Sequence, residues 1–212
     1  MNARYIKPLL LIVVLLGIVA SCGNSSKEEQ IEYLMDRADE AKTKTYYSDA
    51  IDYHQAIIGL QTEVVQQALY VETNEQLDAW IEILYTNKEA LEKLVFSRND
   101  YGLRSSVVDL LTFYISHAEN DSREIFELTA QAEANPYDEE LLQSILIRFE
   151  ELQIRYYSEL EKLQNVYEES ERDFVTAYNF VTAENPLNED ITELREEEES
   201  LMEELNEIYD LE

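Results

Sequence analysis

One cysteine, two histidines and a large surplus of carboxylates are the side chains in this sequence that could carry nucleophilic, redox or metal chemistry. A single cysteine, Cys22, excludes any disulfide within the chain and any site built from paired thiolates. His54 and His117 would need carboxylates at helical spacing to hold a di-iron centre, but Ile51 and Tyr114 stand three residues before them. The Glu-x-x-His signature is therefore missing, along with zinc-protease helices, haem-attachment cysteines, phosphate-binding loops and dinucleotide glycines. No nucleophile elbow is present, so both histidines are expected in structural or surface roles, with no catalytic residue, no metal site and no cofactor. The acids also lack the alternating Asp-x-Asp-x-Asp-Gly spacing of a calcium loop.

The position of Cys22 gives it a different chemistry. Arg4 and Lys7 precede an apolar run from Leu9 to Ala20, then Ser21 and Cys22. Two cations, about a dozen apolar residues and a small residue before a cleavage point make a secretory signal, too short to span a bilayer. Val19-Ala20-Ser21-Cys22 resembles the bacterial lipobox. The resemblance implies that the Cys22 thiol receives a diacylglyceryl group, that cleavage follows Ser21, and that the new amino terminus is acylated. Several acyl chains turn the weak binding of one chain into a stable membrane anchor. Covalent lipid on Cys22 is then the only non-protein group expected. Gly23-Asn24-Ser25-Ser26 leads on as a flexible tether reaching Lys27, so the expected division is 1–21 signal, 22–27 tether, 28–184 bundle and 185–212 acidic helix.

Lys27-Glu28-Glu29 resembles the surface-export signal of lipoproteins in Bacteroidetes-type bacteria, and equally suits the first turn of a helix, where acids favour the positive end of the dipole. No aspartate follows Cys22 directly, which by the same resemblance points to the outer membrane, with either leaflet open.

Only 4 glycines and 3 prolines occur in 212 residues, too little punctuation for a sandwich or a nucleotide-binding α/β fold. The expected fold is all-α: an elongated antiparallel bundle of four main helices followed by the acidic C-terminal helix. Losing Arg4 and Lys7 takes the formal charge from −30 to −32, and such a body repels nucleic acid. Expected partners are the membrane, through the anchor, and another envelope or external protein.

The apolar spacing predicts four segments. The first runs from Glu28 to about Val71 as one long helix with a weak middle at Thr43 to Asp49. A second starts at Thr73, with Gln76 at capping-box spacing, and reaches about Ser97. A third opens at Leu103 and is interrupted near Glu119 to Ser122. The fourth is capped by Asn135, with Pro136 in its first turn, and keeps an apolar stripe from Leu142 to Val181. Asn185-Pro186 repeats that start device. Beyond it, 187–212 carries 12 acids and one base over a thin seam of Ile191, Leu194, Leu201, Leu205 and Ile208, with Glu196, Glu197, Glu198, Glu199, Glu203 and Glu204 as a candidate acidic interaction surface. The 15 tyrosines are expected mainly at the boundary between core and solvent.

Asn99-Asp100-Tyr101-Gly102-Leu103-Arg104, leading into Leu110-Leu111-Thr112-Phe113-Tyr114, resembles a family of uncharacterised helical surface lipoproteins of spirochaetes and related Gram-negative bacteria. The resemblance implies a helical bundle with this turn opening its third helix, and no activity. The expected function is thus a non-catalytic envelope lipoprotein with an interaction or structural role. The alternative is a helical module that holds a small ligand or divalent cation.

Overall fold

The computed structural model describes residues 27–182. Cys22, Ser21 and the acidic segment with Glu196 to Glu204 lie outside the described residues. Within them the chain is all-α: α1 (Lys27–Ala41), α2 (Ala50–Ala68), α3 (Asn74–Lys93), α4 (Leu103–His117), α5 (Arg123–Ala134) and α6 (Glu139–Tyr178). A two-residue pair, β1 (Tyr46–Tyr47) and β2 (Val95–Phe96), runs parallel, with Tyr46 opposite Val95 and Tyr47 opposite Phe96.

The expected first helix is two helices. Thr43 to Asp49 does more than kink: Tyr47 turns inward and is buried, and Asp49 caps α2 by accepting from the Ile51 and Asp52 amides. The residues of poor helix propensity thus form an extended return strand, because β2 supplies partners for their backbone. This return changes the topology. Tyr33 bonds Gln55, Lys42 bonds Glu63, and Gly59 meets the backbone of Leu34, Arg37 and Ala38. The offset along the chain stays at 22 and 21 in the two bonds, so α1 runs parallel to α2. α3 runs antiparallel to α2 and to α4, and α6 antiparallel to α4, as expected of the bundle, so the departure from the expected packing is that α1 adds a helix parallel to its neighbour.

α2 is the central rod. Ala50, Tyr53 to Thr62, Val64, Val65 and Ala68 are all buried, so this helix is covered on every side. A helix enclosed in this way packs against several partners at once. α1 lies along one side at Gly59, and α3 along another, where Trp80 donates its indole N–H to the Val64 carbonyl at 2.9 Å and Asn87 donates to the Leu60 carbonyl at 2.9 Å. Tyr53 and His54 turn towards the last turns of α6.

α3 begins as expected, with Thr73 accepting from the Gln76 amide. It ends at Lys93, and Val95–Phe96 form a strand in place of its expected last turn. The turn to α4 uses left-handed backbone at Tyr101 (φ 53°) and Gly102 (φ 82°). Behind it, Leu103, Val107, Leu110, Leu111 and Tyr114 are buried. The polar interruption is a π-helical turn, Ala118–Ser122, which joins α4 to α5.

The cap of the long helix is Asp138, which accepts from the Leu141 amide; Asn135 instead closes α5, and Pro136 lies in the connecting turn. α6 is 40 residues, about 60 Å at 1.5 Å per residue. It stops at Asn179, left-handed at φ 55°, and Ala177 and Val181 are exposed, so the predicted stripe ends at Phe174. Tyr47, Tyr53, Tyr114, Tyr156 and Tyr167 are buried core residues, against the expected boundary role. Their rings fill wide gaps between helices that aliphatic side chains would leave open.

Candidate functional site

Both histidines are buried and each meets a carboxylate. His54 Nε2 lies 2.9 Å from Glu171 Oε1, joining α2 to α6. One turn before Glu171 stands Tyr167, whose phenol is raised well above its ordinary value by burial first and then by the Glu171 carboxylate. The imidazole stacks near Phe174 and meets Phe180 edge-on, at ring distances of 6.1 and 5.3 Å. Tyr53, Phe96, Phe174 and Tyr178 complete an aromatic cluster that holds the end of α6 on the bundle. Tyr53 donates to Asp100 Oδ2 at 3.3 Å, and burial followed by that carboxylate pushes its phenol up.

His117 sits where α4 enters the π turn. Its Nδ1 lies 3.1 Å from Asp121 Oδ2, and Asp121 also pairs with Arg155 of α6. Burial works to raise the Asp121 carboxyl, but His117 and Arg155 outweigh it and hold the group below the ordinary carboxylate value. One turn on, Arg148 pairs with Glu124 through Nε and Nη2, and this bond holds Glu124 low. His117 reaches the α6 side next to Tyr156, and the π turn that follows it sets Asp121 back against the imidazole; such bulges recur at functional sites.

These groups line a groove of about 800 Å³ between α4 and α6. Phe113 and Leu163 give it apolar surface, and Asp109, Glu159, Asp121 and Arg155 line it with charge. Chemically it can receive a small polar or cationic molecule: Asp109 and Glu159 stand on opposite helices, and Phe113 offers a ring face.

The carboxylate partners of the histidines do not stand at the Glu-x-x-His spacing, so that pattern could not reveal them. Glu171 is 117 residues from His54, and Asp121 follows His117 by four residues where the di-iron pattern places an acid three before. Among the described residues, no group of three or more His, Cys, Asp or Glu side chains could hold a metal ion. Lys27, Glu28 and Glu29 form the first turn of α1, the second of the two readings that the sequence supports for them. No helix among the described residues is long and apolar enough to cross a membrane. Compared with family models, characterised proteins and solved structures, the chain matches none.

Proposed function

We propose that the chain is a non-catalytic lipoprotein of the bacterial outer membrane, held by covalent lipid on Cys22 and serving an interaction or structural role at the envelope. The observation that carries this reading is the order along the chain. Cations, an apolar run and Val19-Ala20-Ser21-Cys22 are followed by four small polar residues, and a helical body begins at Lys27. A tether that short places a packed bundle directly at the membrane without a crossing helix. The acidic body would then present a charged surface to partners, which favours fast, salt-sensitive association.

The test is Cys22→Ala in the native host. The substituted protein should lose acyl-chain labelling and leave the membrane fraction for the soluble one. A substituted protein that stays membrane-bound through a high-salt wash, from a parent with no acyl label, contradicts the reading.

A second reading is favoured by the groove beside the π turn: a helical module that holds a small ligand or cation between α4 and α6. Asp109→Asn with Glu159→Gln would then abolish any thermal shift produced by organic amines or divalent cations, and leave the fold intact. An equal shift in the parent and in this double variant contradicts it.

A further inference from the structure

Four large apolar side chains that are open to solvent, Tyr46, Ile51, Val95 and Tyr101, stand at one end of the bundle, 58, 42, 50 and 40 % exposed. Tyr46 and Val95 are register partners in the β1–β2 pair, so both point from its outer face while Tyr47 and Phe96 turn toward the aromatic cluster. Ile51 is in the first turn of α2. Tyr101 lies in the turn before α4, with its ring 6.1 Å from that of Tyr178 at the end of α6.

The chain enters at this same end. Because α1 runs parallel to α2 with an offset of 21 to 22 residues, Lys27 stands level with the start of α2. Had the two helices formed an ordinary antiparallel hairpin, Lys27 would sit at the opposite end. Four residues separate Cys22 from Lys27, so the lipidated cysteine lies within about 17 Å of Lys27 even when those five Cα–Cα steps are fully extended. Tyrosines prefer the headgroup level, where the ring is apolar-facing and the hydroxyl stays wet.

The charges at this end are consistent with that placement. Arg98 stacks on the rings of Tyr178 and Phe96 at 4.3 and 5.3 Å, leaving a planar donor at the edge of the face that suits a lipid phosphate. Asp49 and Asp100 accept from the backbone amides of Ile51, Asp52 and Gly102, and Asp52 pairs with Arg37. Glu28 and Glu29 are exposed in the first turn of α1, so the face is mixed in charge and suits zwitterionic head groups better than strongly anionic ones.

We propose that this end, with Tyr46, Ile51, Val95 and Tyr101, lies against the head groups of the leaflet that holds the anchor, so that the bundle stands upright and the α5–α6 turn with Tyr137 points away. The proposal rests on lipidation at Cys22. An upright stance sets Tyr137 at the far end of α6, about 60 Å from the lipid.

The test uses the full-length acylated protein, extracted from membranes and reconstituted into vesicles of brominated phosphatidylcholine. Val95→Trp, Tyr46→Trp, Ile154→Trp and Tyr137→Trp are compared one at a time, with the parent's buried Trp80 as the constant background. Quenching and a blue shift are expected for Val95→Trp and Tyr46→Trp, and neither for Tyr137→Trp or Ile154→Trp. Quenching at Ile154→Trp alone would mean that the bundle lies on its flank, and quenching at Tyr137→Trp alone that it is inverted; either overturns the proposal. Acylated protein that floats with the vesicles, with no variant quenched, overturns it too and leaves the anchor standing. Protein whose intact mass shows no acyl chains overturns the anchor itself, and this proposal with it.

Discussion

Gly59→Ala is the sharpest probe of the packing that sets the topology. In an uncrowded helix this change would stabilise by about 1 kcal/mol, since alanine outranks glycine in helix propensity. Here a Cβ on residue 59 would lie 2.6 Å from the Leu34 carbonyl oxygen and 2.7 Å from the Ala38 amide nitrogen, both backbone atoms of α1. Neither can rotate aside, so α1 must retreat as a body by something on the order of 0.7 Å to reach ordinary contact. Leu34 and Ala38 are wholly buried, and that retreat loosens both. Overpacking of this kind costs about 1–3 kcal/mol, occasionally more, and the backbone clash puts this site at the upper end. After the propensity gain the net loss is about 1–2 kcal/mol, equivalent to a fall in Tm of about 2–8 °C for a domain of this size. The assay is thermal unfolding by circular dichroism, with hydrogen exchange to show faster opening of α1. A Tm that is unchanged or raised would refute the close α1–α2 contact, and with it the parallel arrangement.

Alkaline pH should unfold the bundle. Burial, the largest cause at each, raises the Tyr47 phenol to about 12 and those of Tyr53, Tyr114 and Tyr167 as well. Groups raised above the unfolded value near 10 contribute stability that is complete below it and lost as pH rises through the folded value, because the unfolded chain releases its protons first. A tyrosinate titration should show a late fraction appearing together with the loss of helix; a single titration near 10 with full helix retained would contradict this. Arg148→Ala removes ion pairs to Glu124 and Glu151 that are largely open to solvent and screened by it, so it should leave stability nearly unchanged. A larger loss in a denaturant titration would show that α5 depends on this pair. Truncation after Asn185 should leave the described helices folded with their circular dichroism intact, and an unfolded product would mean that the seam of Ile191, Leu194, Leu201 and Leu205 completes the core.

Helix identity was legible because it rests on local signals. Leu77, Trp80, Ile81, Leu84, Leu91 and Leu94 recur at helical spacing, and all are buried. Thr73 carries its capping partner within its own turn. What the sequence hid depends on residues far apart in the chain. The split between α1 and α2 required β2 to pair with Tyr46–Tyr47, some fifty positions away. The direction of α1 required Gly59, which in sequence is one small residue among buried neighbours. Asn135 and Asp138 both offer capping chemistry three residues apart, and the preference for Asp138 follows from Asn135 being used to close α5. His54 and Glu171 meet only because α6 is long enough to return to the start of α2. The groove was equally hidden, since the π turn whose Asn120 and Asp121 line it reads in sequence only as a polar interruption.

The measurement that bears most directly on the central claim is the mass of the amino-terminal peptide of the protein recovered from outer membranes. The account predicts a peptide that begins at Cys22 and carries a diacylglyceryl thioether together with an amide-linked acyl chain. A peptide that begins elsewhere, or one that begins at Cys22 with a free thiol, would contradict it.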